Sequence, residues 1–533
     1  MSEVRTNAPL PRRNSIAADV KAGFFVFLIA LPLCLGIAMA SGFPPVAGVM
    51  TAIVGGLIVS PLGSAPLTIK GPAAGLIVIA IGAGTELGQG DMVAGYHRAC
   101  AVGMVAAAIQ VVFALLRLAT VGIAISPSVV HGMLAAIGVI IVGKQAHVAL
   151  GVVPTATTPL GLVAEIPRSV AHANPEIAAI GVLSLVVLFG WGFLRTRFAK
   201  AIPAPLVVLA LAVPLGMCFD LPHPHAYEFW RAKFEVGPQF LVRLPGSLLD
   251  VIALPDFSQI LSGASIKYVV MFALVGTIES TLSCLAVDGL DPKKRASDLN
   301  RDLFALGVGN LVAAAIGGLP MISEIVRSKA NIDAGAQSAK SNFLHGVFLL
   351  GFVAMAPDLL QSIPLAALAA MLVFTGTRLA SPRHFVHSMH IGLDQLILFT
   401  VTLVVTLATD LLVGVGVGLG VKLLLHFGHG ASWRQLFRTD IACVRDGDTL
   451  CITLHGAAAF TSLLAVRKAV LAAPSEVRRI VVDCADVTMV DHTFLSRIDA
   501  MGAELPHATI ELAGLEGLHR MSGHPHATRR RLV

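Results

Sequence analysis

Two interrupted apolar stretches carry the residues best suited to holding an anion. Pro66-Leu-Thr-Ile-Lys-Gly-Pro-Ala-Ala74 and Gly317-Gly-Leu-Pro-Met-Ile-Ser-Glu-Ile-Val-Arg-Ser328 each read as a backbone break followed by a half-helix, and each brings a cation, Lys70 or Arg327. A half-helix that begins inside a bilayer leaves its first N–H groups unbonded and turns its positive dipole end toward whatever faces it. Taken singly, Gly-Pro starts a helix and Gly-Gly-Leu-Pro ends one. At corresponding places in two halves of one chain, they form the pattern of a carrier's substrate site, with an anion held between opposed helix ends.

Further ionisable groups fall at depths where they are costly unless they work or pair. Glu279 lies in an apolar run with no basic residue near it in sequence. Such a carboxylate binds Na⁺ with Thr281, Ser283 or backbone carbonyls, or carries a proton, or serves as a structural partner to Arg327. Glu324 stands at the mouth of the second half-helix, where a carboxylate stabilises the N-terminus and repels an incoming anion. Lys70 either attracts the substrate or snorkels to the interface. His131 and His147 flank one apolar run and read as satisfied structural groups. The seven cysteines show no metal spacing and no paired framework. No nucleophile–base pair or phosphate-binding glycine loop points to an enzyme, and Gly414, Gly416, Gly418 and Gly420 read as a close helix-packing face.

The elements that must position these residues are membrane spans. With 56% hydrophobic and 13% charged residues and a mean hydropathy of +0.81, the 533-residue chain is excluded from the ordinary soluble class. Apolar runs long enough to span recur near 22–40, 97–116, 129–147, 178–194, 266–287, 303–317, 341–356 and 393–427, the last accommodating two passes. Shorter runs near 44–60, 71–87, 203–219, 326–337 and 363–377 bring the expectation to about fourteen passes. The formal net charge of +6 is no nucleic-acid signature. With a cytoplasmic N-terminus, Arg12, Arg13, Lys21, Arg195, Arg197, Lys200, Lys293, Lys294, Arg295, Arg301, Lys340, Arg378 and Arg383 all fall on the inner side. The first span follows a polar tail of about twenty residues and has no small-residue cleavage site followed by a soluble domain, so no cleavable signal is expected.

Hydropathy drops after His426, and the remainder reads as a small soluble α/β domain. Strand-like runs 450–454, 480–483 and 509–512 alternate with amphipathic stretches 461–472 and 492–503. A turn over Asp486 to Thr493 joins strand to helix, with Asp491 as an N-cap or as part of a regulatory turn with Thr493. The tail Thr528-Arg-Arg-Arg531 reads as a solvated, frayed end near anionic lipid.

In this order and with this appendage, several weak motifs together resemble the SulP (sulfate permease) family, over nearly the whole chain. They are Leu31-Pro32 with Gly42-Phe-Pro-Pro45, Gly71-Pro-Ala73, Ile202-Pro-Ala-Pro-Leu206, Glu279-Ser280, Arg327-Ser328 with Asn331 and Gly335, Ile363-Pro-Leu365, and the stretch from Asp483 to Asp491. The resemblance implies a polytopic α-helical carrier with seven-plus-seven inverted repeats, two broken half-helices and a small cytoplasmic STAS domain. It also implies elevator-like alternating access between a core and a gate domain. Expected boundaries are a cytoplasmic tail at 1–20, repeats at 21–220 and 265–428 around an extracytoplasmic loop at 221–264, a linker at 429–440 and the STAS-like domain at 441–533. The implied anion site comprises Gly71, Pro72, Ala73 and Ala74 facing Val326, Arg327 and Ser328. Pro72 has no N–H, so donors on its side come from Ala73 and Ala74.

Leu33 and Ile37 stand where many relatives carry a glutamine and an aromatic, and Val326 where they often have a serine. A site so poor in side-chain donors suits a small, singly charged, planar anion better than sulfate. The expectation is bicarbonate uptake coupled to Na⁺ in the bacterial inner membrane, with both termini cytoplasmic. The chain is then a lipid-embedded homodimer, with no nucleic-acid partner and no cofactor beyond the coupling Na⁺, and its STAS domain is open to a regulatory partner. The alternatives are a proton-coupled sulfate or C4-dicarboxylate transporter, an anion channel, or a membrane-anchored STAS sensor.

Overall fold

The structure, a computed structural model, describes residues 15–119, 126–194, 196, 202–230, 232–243, 252–437, 440–474, 476–504 and 508–531. Arg12, Arg13, Arg195, Arg197 and Lys200 of the charge argument lie outside the described residues. Helices stand in every place where the sequence predicts a pass. Spans 1 to 7 are Ser15–Ala40, Pro45–Leu62, Ala74–Gly88, Met92–Leu115, Pro127–Ala149, Pro175–Gly190 and Ala204–Cys218. Spans 8 to 14 are Gly263–Leu290, Leu299–Ala315, Ile325–Asp333, Lys340–Met355, Leu365–Leu379, Leu393–Ala408 and Leu411–Gly428. Eight helical stretches among the described residues are long and apolar enough to cross a bilayer on length and composition alone.

Local chemistry writes many of the starts. Pro45, Pro127 and Pro175 occupy first-turn positions, where the missing N–H costs nothing. Asp91 accepts from Val93 and Ala94, Asp298 from Asn300 and Arg301, and Asp410 from Val413 as N-caps.

Packing repeats with a shift of seven spans. Span 1 packs on span 11 as span 8 does on span 4, span 3 on span 8 as span 10 does on span 1, and span 4 on span 9 as span 11 does on span 2. Spans 6 and 12 pair as spans 13 and 5 do. Close approach depends on small residues, as expected where lipid gives apolar helices no reason to associate. A Cβ on Gly55 would sit 2.7 Å from the Lys70 carbonyl, and one on Gly56 2.7 Å from that of Asn342. The glycine face of span 14 is half of what the sequence predicts. Gly414 and Gly418 press on Thr406 and Thr402 of span 13, whereas Gly416 and Gly420 face open space.

The segment between the repeats is folded. A hairpin of His225–Phe229 and Ala232–Val236 anchors to span 6 through Tyr227 Oη donating to Asn174 Oδ1 at 2.8 Å, and Val242 N donates to Ile363 O at 3.0 Å.

The C-terminal domain is a mixed sheet of 440–446, 449–458, 479–490, 509–513 and two short strands, 519–520 and 529–530, with helices Phe460–Leu471 and His492–Glu504 as parallel crossovers. The linker at 429–440 carries helix Trp433–Phe437, and the first strand begins at Asp440. Two expectations need correction here. Asp486 to Val490 continues the 479–490 strand, so the turn shrinks to Asp491. The arginine tail is not frayed: Arg529–Arg530 pairs antiparallel with Val490 and Met489, burying Thr528 and Arg529. A sheet edge needs partners for its N–H and C=O groups, and this short strand supplies them.

Candidate functional site

The two breaks meet. Ile69–Pro72 and Met321–Glu324 form a two-stranded antiparallel ribbon with Lys70 opposite Ser323 and Gly71 opposite Ile322. Each strand then enters its half-helix, at Ala74 and at Ile325. Gly317, with φ at +87°, makes the turn out of span 9 that an L side chain would resist, and its carbonyl accepts from Tyr96 Oη at 2.7 Å. Asn310 holds the second strand from span 9, accepting from Met321 N at 2.7 Å and donating to Met321 O at 3.2 Å.

Side chains then stitch the ribbon. Ser328 Oγ accepts from Ile69 N at 2.8 Å and donates to Glu324 O, so its hydroxyl is spent on joining the two half-helix starts. Ser323 bonds Ser280 of span 8 at 2.9 Å. Lys70 is only 2% exposed and donates to Asp302 of span 9 and to Ser323 Oγ at 2.6 Å. Snorkelling is therefore ruled out: the ammonium is buried and paired, and Asp302 neutralises it. Asp302 is missing from the sequence reading, although an intramembrane lysine calls for a carboxylate partner and this one opens the ninth span.

Arg327 is 1% exposed and lies directly beneath Gly71, where any side chain would meet its Nη1. Nη1 donates to Cys34 Sγ of span 1 at 3.4 Å, and among the described residues no carboxylate pairs with the guanidinium. A buried cation held by a thiol keeps its demand for negative charge. His345 of span 11, also absent from the sequence reading, is fully buried within electrostatic reach of Arg327, and both of its ring nitrogens lack hydrogen bonds. Its only sequence signal is a lone imidazole in an apolar run.

Glu279 does not pair with Arg327 as the structural alternative requires. Its carboxylate, 6% exposed and without a hydrogen bond, lies against Gly75 in the first turn of span 3, where a methyl group would strike both oxygens and stand 2.6 Å from Cδ. Ser283 is one turn further along the same face and buried, whereas Thr281, also buried, points about 200° away around the helix. Glu324 precedes span 10 without capping it, and its buried Oε1 has no partner. Gly71, Pro72 and Ala73 are buried, Ala74 and Leu33 are half-buried, and Val326 is 49% exposed. Thus opposed helix starts, a buried cation that has no carboxylate in ion-pair contact among the described residues, and a buried carboxylate without a hydrogen bond share one region, with Glu324 within electrostatic reach of Arg327. Among the described residues no group of three or more His, Cys, Asp or Glu side chains is arranged to hold a metal.

Away from this region, His147 is satisfied, 2.7 Å from Ser169 Oγ and 3.0 Å from Leu162 O. His131 stacks on His384 with ring centroids 4.8 Å apart. Asp491 is an N-cap and more. It accepts from Phe494 N at 2.6 Å and forms a buried ion pair with Lys422 of span 14 at 3.1 Å, with His426 at 3.5 Å. Lys422 also donates to Thr493 Oγ1 at 2.9 Å, so Asp491 and Thr493 together bind the domain to the last span. Burial would raise the Asp491 pKa, but Lys422 and His426 outweigh it and hold the carboxyl below its usual range.

Comparison with known proteins agrees with this architecture. The bicarbonate transporter BicA of Picosynechococcus sp. is 26% identical over 405 residues, 75% of this chain and 68% of its own length. The probable sulfate transporter Rv1739c of Mycobacterium tuberculosis is 23% identical over 420 residues, 78% of this chain and 70% of its own. The solved transmembrane domain of a cyanobacterial BicA superposes with a TM-score of 0.65 at 23% identity, covering 76% of this chain and 98% of that one. The structure of SLC26A9 gives 0.67 at 16% identity over 94% and 84%. These two share the fold. The sulfate permease family profile matches residues 16–402, so with its polytopic helical fold, opposed half-helices and α/β appendage this chain belongs to the sulfate permease family of membrane anion transporters.

Proposed function

We propose that the protein takes up bicarbonate together with Na⁺ by elevator-type alternating access. It does so as a homodimer in the bacterial plasma membrane, with both termini and the STAS-like domain in the cytoplasm. The observation that carries this reading is the Glu279 carboxylate, without a hydrogen bond, against the first turn of one half-helix, where the strands leading into both half-helices pair. A cation at Glu279 neutralises a charge that would otherwise oppose an anion at Ala73, Ala74 and the first N–H groups of span 10. Supporting bicarbonate over sulfate, Leu33 and Val326 offer the proposed site no side-chain donor, and Ser328 spends its hydroxyl on the ribbon. Few donors remain for a divalent oxyanion, whose desolvation must be repaid bond by bond. The sequence similarity to a bicarbonate transporter is in keeping with this. Similarity to a sulfate transporter at nearly the same identity keeps proton-coupled sulfate transport as the second reading.

The test is labelled uptake of bicarbonate, sulfate and a C4-dicarboxylate into proteoliposomes, with Na⁺ or pH gradients. Leu33→Gln with Val326→Ser should shift preference toward sulfate. A wild type that already prefers sulfate or the dicarboxylate overturns the substrate, and accumulation indifferent to Na⁺ overturns the coupling.

A further inference from the structure

At the end of the bundle away from the STAS-like domain, three spans meet around one ammonium group. Spans 3 and 8 pack on each other and carry the first half-helix and Glu279, whereas span 14 packs on spans 13 and 5. Lys267, near the start of span 8, donates to Glu86 Oε2 in the last turn of span 3 at 3.1 Å. Its Nζ also stands 3.8 Å from Oδ2 of Asp410, the N-cap of span 14. Tyr268 Oη donates to the same Glu86 oxygen at 2.7 Å, and a Cβ on Gly82 of span 3 would meet that hydroxyl at 2.6 Å. Leu411, 1% exposed, is buried in the same cluster as Tyr268. Lys422, which binds the STAS-like domain, lies twelve residues along span 14 from Asp410, or about 18 Å at 1.5 Å per residue. The other face is open: a cavity of about 480 Å³ beside the STAS-like helices is lined by Leu282, one turn past Glu279, and by Ile325, the first residue of span 10.

We propose that Lys267 and Asp410 form a latch that holds the far face shut and biases the carrier toward the state open on the STAS side. This role rests on the alternating-access reading and adds which contact sets the resting state. The two carboxylates differ in what they travel with. Glu86 stays beside Lys267 when span 14 parts from spans 3 and 8, and Asp410 leaves while still capping span 14 through Val413 N at 3.0 Å. Separation therefore strands no charge, because the ammonium keeps one partner and the departing carboxylate keeps its hydrogen bond and reaches water. The three side chains are 32% to 45% exposed, so the inter-span pair is screened and weak. A weak pair suits a contact that must release in every cycle.

The experiment uses the full chain in vesicles sorted so that the STAS-like domain is enclosed. Leu411→Cys places a thiol that is covered while the far face is shut, and its reaction with a membrane-impermeant maleimide is followed by peptide mass spectrometry. Asp410→Asn removes the charge and keeps an N-cap acceptor. It should speed labelling about threefold at low ionic strength, and high salt should bring the parent up toward the variant. In a Lys267→Met background the same Asp410→Asn step should no longer speed labelling, which separates the pair from either residue alone. Hydrogen exchange over residues 411–418, read without the added cysteine, should rise by a similar factor. Labelling and exchange within 1.5-fold of the parent, or an increase that persists in the Lys267→Met background, overturn the latch. Uptake of labelled bicarbonate and sulfate is measured in the same vesicles. A wild type that moves neither anion overturns the transport reading, whereas one that moves an anion while labelling ignores Asp410→Asn overturns the latch alone.

Discussion

Gly75→Ala tests the contact that joins the two halves of the proposed mechanism. The substitution adds one methyl group, removes no charge and favours helix, yet that methyl would stand 2.6 Å from Glu279 Cδ and closer to both oxygens. The carboxylate must swing by about 1 Å to reach ordinary contact. At an effective dielectric constant of about 20, moving a monovalent cation from about 3 to about 4 Å from a carboxylate charge loses about 1.4 kcal/mol, or about tenfold in affinity. The half-maximal Na⁺ concentration for bicarbonate uptake should therefore rise about tenfold. Maximal uptake at saturating Na⁺ should fall less, because the half-helix N–H groups stay in place. Gly84→Ala is the control, since a Cβ there meets nothing within 4 Å in the same half-helix. The assay is the initial uptake rate against Na⁺ in proteoliposomes of matched protein content. A half-maximal concentration within twofold of wild type in a folded Gly75→Ala protein would refute the placement of the cation at Glu279.

Three further outcomes are expected. Arg327→Ala should abolish anion uptake in a protein that still folds, since a charge-assisted hydrogen bond contributes roughly 1.5–3 kcal/mol; uptake within twofold of wild type contradicts the assignment. Lys70→Met should destabilise the membrane domain by about 3–5 kcal/mol by stranding Asp302, with Asp302→Leu restoring much of the loss; a single variant melting with the double variant in detergent would show that the pair is not structural. Burial holds the pKa of His492 and His524 of the STAS-like domain below the ordinary histidine value, so the docked state resists protonating them. Docking should be intact above about pH 6.5 and weaken as pH falls, seen as faster proteolysis between span 14 and the domain; a profile unchanged by His492→Gln with His524→Gln would remove them as the cause.

Much of this architecture is readable because lipid restricts what a chain can do. A crossing segment must be helical and apolar, so hydropathy alone finds the spans, and Pro, Asp and Ser mark many of their starts. The half-helices are visible for the converse reason, since a break in an apolar run must be repaid by something nearby. What sequence cannot give is partnership across hundreds of residues. Lys70 reads as a substrate-attracting or an interface cation until Asp302, 232 positions away, closes on it. Arg327 and Glu279 look like natural partners by charge, yet the fold gives one a thiol and leaves the other against a glycine. The arginine tail fails by another route. Three consecutive arginines carry no strand pattern, and only the exposed edge of the 479–490 strand turns Arg529–Arg530 into one.

The stitching around the ribbon bears on how the proposed coupling would operate. Span 8 carries Glu279 and bonds the second strand through Ser280 and Ser323. Lys70 of the first strand reaches Asp302 of span 9 and the same Ser323, and Ser328 ties Ile69 to the start of span 10. Spans 3, 8, 9 and 10 thus share one network of short buried bonds. The proposed cation and anion sites have little freedom to move relative to each other, so their linkage need not involve a change of shape between them. It is electrostatic: an unneutralised Glu279 disfavours the anion, an anion favours the cation, and each raises the other's affinity by the same factor. A carrier built this way can move the loaded pair as one body, and the half-loaded core carries a buried net charge that penalises its passage.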